Sequence, residues 1–223
     1  MDVLQGIRGD GAPRDFYETC GLQRPVHRLR VRVLCPKLRT HIGGLRDFEA
    51  PADEIALLPL RPRVVVIVEN LETGVALPDM PGCVALMKLG NAVGVLDRLP
   101  WLQGISVIYW GDVDTHGFAM LDRARRVLPR LRSGLMDEQT LLPYLHLAVE
   151  EKVQCPVAEM PRLTTSERIV YDGLRQHRWG KNLRLEQERL PRKLGIAALE
   201  DASLPFGLSD SSVATERRVD LSQ

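Results

Sequence analysis

Two stretches decide the fold: residues 63–69 read RVVVIVE, and residues 105–117 read ISVIYWGDVDTHG. In each stretch an apolar run, rich in β-branched or aromatic residues, ends in acidic side chains. A continuous apolar run predicts a strand that is buried on both faces, as at the centre of a parallel sheet. A short run at 84–87 and a weaker one at 132–136 predict two further strands.

Helical patterns alternate with these strands, over residues 91–99, 117–127 and 137–149. Strands and helices in alternation at this spacing predict an α/β fold, a Rossmann-like parallel sheet flanked by helices. Residues 28–34 alternate basic with apolar side chains, which predicts a strand in the N-terminal segment. Residues 164–167 read Thr-Thr-Ser-Glu, a capping box that predicts the start of a helix in the C-terminal segment.

The chain is expected to have four parts. Residues 1–61 form a partly disordered N-terminal segment, interpreted as the remnant of a preceding domain. Residues 62–155 form the central α/β domain, since they contain the predicted parallel strands. Residues 156–207 form a helical C-terminal segment, and residues 208–223 form a flexible tail because their composition shows no period.

Composition narrows the class of protein. The chain has 223 residues, and a hydrophobic fraction of 44% allows a sizeable core. No apolar run approaches the roughly 20 residues that span a bilayer, so we expect a cytoplasmic protein without membrane contact. The cysteines form no CxxC pair and lie at no zinc-finger spacing from a histidine, so we expect reduced thiols in the core. The four cysteines are Cys20, Cys35, Cys83 and Cys155.

Charge is unevenly distributed along the chain, although the formal net charge is only +1. Segment 1–40 has eight Lys and Arg against four Asp and Glu, a balance of +4. Segment 160–193 has nine against four, a balance of +5. Basic flanks around an acidic centre are typical of a metal site that handles a polyanion, and ordinary solvated surface explains them equally well.

Three carboxylates follow the two apolar runs, Glu69 after the first and Asp112 and Asp114 after the second. Two residues apart in an extended segment, Asp112 and Asp114 share a face. If the two strands are neighbours, all three carboxylates meet at one edge of the sheet, where they repel one another unless a cation neutralises them. Hard oxygen ligands favour Mg²⁺ or Mn²⁺, which can stabilise a phosphoryl transition state.

Two classes of enzyme use such a pattern. The haloacid-dehalogenase-like phosphatases have DxDx[TV], but the position two past Asp114 is His116, and this class leaves Glu69 without a role. Their DxD also follows the first strand of the fold, whereas two strands precede it here. The TOPRIM pattern has a Glu after one strand and DxD after the strand two further on. This pattern accounts for all three acidic residues.

Several segments resemble JetD, the nuclease subunit family of the Wadjet anti-plasmid systems. They are residues 66–73, 99–102, 109–119, 135–137 and 183–191. Within 109–119 the run Asp-Thr-His-Gly is highly specific, and its DxDxxG core is also similar to the A subunit of topoisomerase VI. The similarity extends over about residues 28–191, most of the chain.

The resemblance implies a TOPRIM fold over 62–155 and Mg²⁺- or Mn²⁺-dependent cleavage of double-stranded plasmid DNA. It implies a condensin-like SMC complex as partner, and we expect a homodimer. It implies that Glu69 is an acid/base or metal-bridging carboxylate and that Asp112 and Asp114 bind the metal. His116 is a further candidate that could contact phosphate or orient an Asp, although a single His is more often structural.

Other roles stay open at this stage. Glu186 and Glu188 could approach the metal from the C-terminal segment, or could lie on an exposed charged helix. Asn70 and Thr73 are expected to position Glu69 or to cap the next helix. Since no tyrosine has a recognisable counterpart to the topoisomerase nucleophile, a hydrolytic nuclease is favoured over a topoisomerase. The alternatives are a DxD-type phosphatase and a non-catalytic TOPRIM module for DNA binding or assembly, because family members have a longer N-terminal region.

Overall fold

A six-stranded sheet forms the centre of the computed structural model, which describes residues 16–22, 26–157 and 159–202. The order across the sheet is β2-β1-β4-β3-β5-β6, with β4, β3, β5 and β6 parallel and with β1 antiparallel to both of its neighbours. The strands are β1 (Arg28–Val33), β2 (Asp47–Pro51), β3 (Val64–Val68), β4 (Cys83–Met87), β5 (Ser106–Trp110) and β6 (Arg132–Ser133).

Helices connect and flank these strands, so the predicted α/β class with a Rossmann-like, mostly parallel sheet is confirmed. The α-helices are α1 (Phe16–Thr19), α2 (Pro36–Thr40), α3 (Ala52–Ala56), α4 (Leu71–Ala76), α5 (Thr115–Val127), α6 (Glu138–Leu141), α7 (Thr165–Arg175) and α8 (Arg192–Ala202). The 3₁₀ segments are Gly90–Arg98, Pro100–Leu102, Leu142–Leu147 and Gln187–Arg189. A separate antiparallel pair consists of β7 (Val149–Glu150) and β8 (Leu183–Arg184).

The apolar runs form the centre of the sheet, as predicted. Every residue of β3 and β4 is buried, because each strand has sheet neighbours on both sides and side chains packed on both faces. The predicted strands at 63–68, 84–87 and 105–110 are thus confirmed to within one residue. The weak run at 132–136 forms a strand only at its first two residues.

The N-terminal segment contributes to the same sheet. The predicted strand at 28–34 is β1, and its apolar residues are buried while Arg28 is exposed. β2 pairs with β1 along five residues, although the sequence Asp-Phe-Glu-Ala-Pro gives little strand signal of its own. Residues 1–15 of the predicted N-terminal segment and the whole predicted tail at 208–223 lie outside the described residues.

Helix predictions differ from the structure mainly at their ends. α5 begins at Thr115 rather than 117, because the Asp114 side chain accepts the Gly117 backbone N–H and caps the helix there. The helix expected over 91–99 is a 3₁₀ segment with a kink at Ala92. Pro143 divides the helix expected over 137–149 into α6 and a 3₁₀ segment.

The cysteines have free thiols, and Cys35, Cys83 and Cys155 are buried, as expected of core residues, whereas Cys20 is exposed. Across the part of the chain that the structure describes, no helix is long and apolar enough to traverse a bilayer.

α7 is joined to α5 by a buried ion pair, which fixes the C-terminal helices on the sheet. The predicted capping box is present, since Thr164 and Glu167 each accept a backbone N–H from the other. Glu167 also pairs through both oxygens with Arg125 of α5 and accepts from Ser133 of β6. Burial would raise the pKa of Glu167, but hydrogen bonds from Arg125, Ser133 and Thr164 outweigh it and hold the pKa below its usual value.

We expect Glu167→Gln to lower the free energy of unfolding by about 3 kcal/mol at neutral pH, because it leaves Arg125 buried without its counter-charge. A carboxyl with a depressed pKa stabilises the fold above its unfolded pKa of about 4.3 and loses this contribution as the pH falls through the folded value. The difference in the free energy of unfolding between the variant and wild type should therefore become smaller below about pH 4. Urea unfolding at several pH values measures it, with the exposed Glu159→Gln as control. An equal effect of both substitutions would contradict the role of the pair.

Candidate functional site

The carboxyl ends of β3 and β5 place the predicted acidic residues next to each other. The two strands are parallel neighbours, with Val68 opposite Trp110 in the register. Glu69 follows the first strand, and Gly111 and Asp112 follow the second. The condition that these two strands are neighbours is therefore met. In parallel sheets this edge is where ligands are most often bound.

Glu69 lies in an environment that disfavours its charge. Burial, followed by repulsion from Asp112 and Asp114, raises its pKa to about 7. The buried hydroxyl of Tyr109 donates a hydrogen bond to Glu69 Oε2 over 3.3 Å. A carboxyl group with a pKa near neutrality can accept or donate a proton at the pH of the cell.

Asp112 is almost completely buried, at 4% exposure, and both of its oxygens have protein partners. Oδ2 accepts hydrogen bonds from Arg184, over 2.6 Å from Nη2 and 3.1 Å from Nε. Oδ1 accepts the backbone N–H of Gln187 over 2.9 Å. The carboxylate is thus held in one orientation by a C-terminal segment that lies 72 to 75 residues away in the chain.

Asp114 has two structural partners. Its Oδ1 accepts the Gly117 N–H and caps α5, while its Oδ2 lies 3.3 Å from Arg184 Nε. Burial, together with repulsion from Glu151 and Asp112, raises the pKa of Asp114 to about 6. Only glycine fits at position 117, because a Cβ there would lie 2.2 Å from the Asp112 carbonyl oxygen.

A C-terminal segment, Leu183–Leu190, crosses the edge where the acidic residues lie, and we refer to it as the strap. Its first two residues are β8, and Leu185 exchanges two backbone hydrogen bonds with Val113, over 2.9 and 3.1 Å. Gln187 of the strap is 1% exposed and joins the two acidic loops. Its Oε1 accepts the Asn70 N–H over 2.7 Å, and its Nε2 donates to the Trp110 carbonyl over 3.1 Å.

The structure of the strap differs from the exposed charged helix that was one alternative for Glu186 and Glu188. Only Glu188 is exposed on a short 3₁₀ turn, whereas Glu186 is partly buried in the extended part. Burial alternates from Leu183 to Gln187, as in a strand, and only a short 3₁₀ turn follows. Glu186 lies 2.7 Å from Arg189 and 3.6 Å from Arg184. Burial and then the negative charges of Asp112 and Glu186 raise the pKa of Glu188. Both strap glutamates therefore belong to the electrostatic surroundings of Asp112.

His116 lies on the first turn of α5, and its contacts are with the segment that follows β7. Its Nε2 is 3.0 Å from the Val153 carbonyl oxygen and 4.0 Å from Glu151 Oε1. Glu151 itself is 3% exposed and accepts the Thr115 hydroxyl over 2.7 Å, while its Oε2 has no hydrogen-bond partner. A buried acidic side chain thus lies behind the DxD loop.

Asn70 is the N-cap of α4, because its side chain accepts the Thr73 N–H over 3.1 Å. The expectation of a cap on the helix after Glu69 is confirmed for Asn70, whereas Thr73 contributes only its backbone N–H and its hydroxyl is buried without a hydrogen-bond partner. Four further residues of the site have no prominent signal in the sequence. They are Tyr109, Glu151, Arg184 and Gln187. In the sequence the strap stands out by its charge and by its resemblance to the JetD family, and the alternation from Leu183 to Gln187 is the signal that indicates an extended conformation.

Arg184 contacts the acidic cluster as a cation, through Asp112 and Asp114. Among the residues that the structure describes, no group of three or more His, Cys, Asp or Glu side chains is arranged to hold a metal ion. The chemical nature of Glu69, Asp112 and Asp114 nevertheless suits a hard cation, since all three supply carboxylate oxygens. Burial, and after it repulsion from other carboxylates, raises the pKa values of Glu69 and Asp114, and the guanidinium does not reverse this shift.

Fold and site together define an α/β protein with a mostly parallel sheet and an acidic cluster at its carboxyl edge. The family model for the Wadjet protein JetD, C-terminal, matches residues 21–199. The chain therefore belongs to this family, which confirms the resemblance found in the sequence. Membership implies a subunit of a Wadjet defence system. No curated protein matches the chain.

We expect Gln187→Leu, which keeps the approximate size of the side chain, to lower the free energy of unfolding by about 2 kcal/mol or more. The variant leaves the Asn70 N–H and the Trp110 carbonyl buried without partners, and each such group costs about 1–3 kcal/mol. Amide hydrogen exchange at Asn70 should also become faster. Gln103→Leu, at an exposed position, is the control. Unchanged stability and unchanged exchange at Asn70 would show that Gln187 does not join the two loops.

Proposed function

We propose that this chain is a metal-dependent endonuclease subunit that cleaves double-stranded plasmid DNA, with a catalytic domain of the TOPRIM type. The observation that carries the proposal is the meeting of Glu69 with Asp112 and Asp114 at one sheet edge, in a chain of the JetD family. The order of these residues, a Glu after one strand and DxD after another, supports the TOPRIM assignment. The same order leaves Glu69 with a role that a DxD-type phosphatase would not give it.

Glu69, Asp112 and Asp114 would bind the metal, Mg²⁺ or Mn²⁺, because carboxylate oxygens are the ligands these ions prefer. When bound, the ion would supply an activated water and charge stabilisation for phosphodiester hydrolysis.

The chain's own residues supply orientation and proton transfer. Glu69 has a pKa of about 7 in the metal-free protein, and Tyr109 fixes the orientation of its carboxyl group. Arg184 offsets the charge of Asp112 and Asp114, and Gln187 keeps the Glu69 and Asp112 loops together. For His116 we propose the lesser role of supporting the first turn of α5, since its contacts are with Val153 and Glu151.

In a Wadjet system the partners of this subunit would be double-stranded DNA and the condensin-like SMC complex, and we expect it to act as a homodimer. Regulation by the complex would explain how a nuclease of this kind spares the host chromosome. A non-catalytic role in DNA binding or assembly is the alternative that the cleavage experiment below tests.

We expect the purified chain to nick or linearise supercoiled plasmid in the presence of Mn²⁺ or Mg²⁺. Glu69→Gln and Asp112→Asn should each reduce the rate by about a hundredfold or more, because each removes a charged group from the reacting centre. Gel electrophoresis of plasmid over time measures the rates. Glu72→Gln, an exposed acidic residue three positions after Glu69, is the matched control and should cleave normally.

Equal cleavage by Glu69→Gln and wild type would contradict the nuclease assignment. So would the absence of cleavage in the wild type, which would favour the DNA-binding or assembly role. Phosphate release from a small phosphomonoester, lost in Asp112→Asn and retained in Glu69→Gln, would instead support the phosphatase.

Arg184 and a divalent cation should compete for the same acidic oxygens. We therefore expect Arg184→Gln to bind Mn²⁺ more tightly than wild type does, by about tenfold, which corresponds to about 1.4 kcal/mol of removed repulsion. Isothermal titration calorimetry with the metal alone measures the affinity. Arg189→Gln, which removes a neighbouring charge that contacts only Glu186 among the acidic residues above, is the control. Weaker Mn²⁺ binding by Arg184→Gln would show that the arginine supports the metal instead of competing with it.

A further inference from the structure

A basic groove lies beside the acidic cluster, and its position follows from the topology of the sheet. β1 runs antiparallel to β4, so the first residues of β1 lie next to the last residues of β4. The side chains of alternate β1 residues are basic and share one face. The groove has a volume of about 290 Å³, roughly the space of ten water molecules. It is lined by Arg28, Arg30, Glu49, Leu71, Met87 and Lys88.

The balance of charge around this groove is positive. Asp47 is shared by two arginines, lying 2.6 Å from Arg30 Nε and 3.4 Å from Arg32 Nη1. Glu49 pairs with Arg28 over 3.4 Å. Among the residues that line the groove, three cations, Arg28, Arg30 and Lys88, stand beside one carboxylate, Glu49, which gives a net charge of +2. The side chains of Arg28 and Arg30 are 49% and 37% exposed, although Arg28 Nη2 already donates to the Glu49 carbonyl over 2.8 Å.

Lys88 connects the groove to the acidic edge. It follows β4, and its backbone N–H donates to the Val68 carbonyl over 3.2 Å, directly before Glu69. Its φ of 57° is in the left-handed region, which non-glycine residues adopt infrequently and more often at functional sites. Neighbouring strands are about 4.8 Å apart, so the end of β4 lies about one strand from that of β3 and two from that of β5.

We propose that this basic groove is a phosphate-binding subsite for the DNA backbone, which holds the strand next to the acidic cluster. The inference rests on the proposed function and identifies where the substrate lies on this chain. Arg28 and Arg30 would donate hydrogen bonds to phosphate oxygens, and Lys88 would contact the phosphate nearest to Glu69. Contacts of this kind position a duplex without reading its sequence.

The arrangement suits a phosphodiester backbone better than a small carboxylate ligand. The cations follow one another along β1 and across to the end of β4 instead of converging on one point. They also stand on the side of Glu69 away from β5, so a strand that crosses the sheet edge would contact both the groove and the acidic cluster. Electrostatic contact with successive phosphates explains this linear placement.

The test is the binding of a short fluorescein-labelled DNA duplex to the full chain, measured by fluorescence anisotropy in EDTA over a range of salt concentrations. The groove variant combines Arg28→Gln, Arg30→Gln and Lys88→Gln. The charge-matched control combines Arg61→Gln, Arg126→Gln and Arg130→Gln, three exposed residues at the amino end of the strands. We expect the groove variant to bind the duplex more weakly than wild type does. The slope of its log affinity against log salt concentration should be smaller in magnitude by about 2.7, because each lost phosphate contact reduces the slope by about 0.9.

A single substitution guards against misfolding of the triple variant. Lys88→Gln alone should reduce the slope by about 0.9, while Lys88→Arg should keep it. Equal affinity and slope for the groove variant and the control would overturn the proposal, and so would the absence of binding by wild type. Because EDTA prevents cleavage, the nuclease assignment is judged separately with plasmid and metal. Normal cleavage by wild type with an unchanged slope for the groove variant would reject only the phosphate-binding role of the groove. A changed slope for the groove variant without cleavage by wild type would reject only the nuclease assignment.

Discussion

The parallel pairing of β3 with β5 is the constraint on which the site depends. Because Val68 lies opposite Trp110, the residues that follow these strands leave the sheet at the same level. A shift of one residue in the register between β3 and β5 would turn the acidic side chains to opposite faces of the sheet. The strap then completes the arrangement, since Gln187 contacts the Asn70 N–H, the Trp110 carbonyl and Asp112 at once. The position of the basic groove depends on the same sheet, through β4.

The centre of the sheet and its acidic edge could be predicted because their signals are local. The apolar run of β3 requires burial on both faces wherever it occurs, and Asp112 and Asp114 follow β5 directly in the sequence. Caps are local as well, so the capping box at Thr164 and Glu167 was recognisable. The requirement for glycine at position 117 is also local, because Gly117 and the Asp112 carbonyl approach each other within one short loop.

The remaining features depend on contacts between distant parts of the chain. β2 has a weak strand sequence and forms because β1 offers it an edge with basic partners for Asp47 and Glu49. Arg184 reaches Asp112 across 72 residues, and no local pattern indicates that pairing. Residues 183–188 include three charged side chains and allow the prediction of an exposed helix. Pairing with Val149 and Glu150 overrides this tendency and keeps the segment extended.

Arg184 has a consequence for how the protein folds. Sites that gather several carboxylates often need their metal in order to fold, because the bare charges repel one another. Here the polypeptide carries a counter-ion of its own, attached through the strap to the oxygens of Asp112 and Asp114. Because of this internal counter-ion, we expect the chain to fold without divalent ions. Under the proposed function, the acidic cluster would then be assembled before a metal ion binds to it.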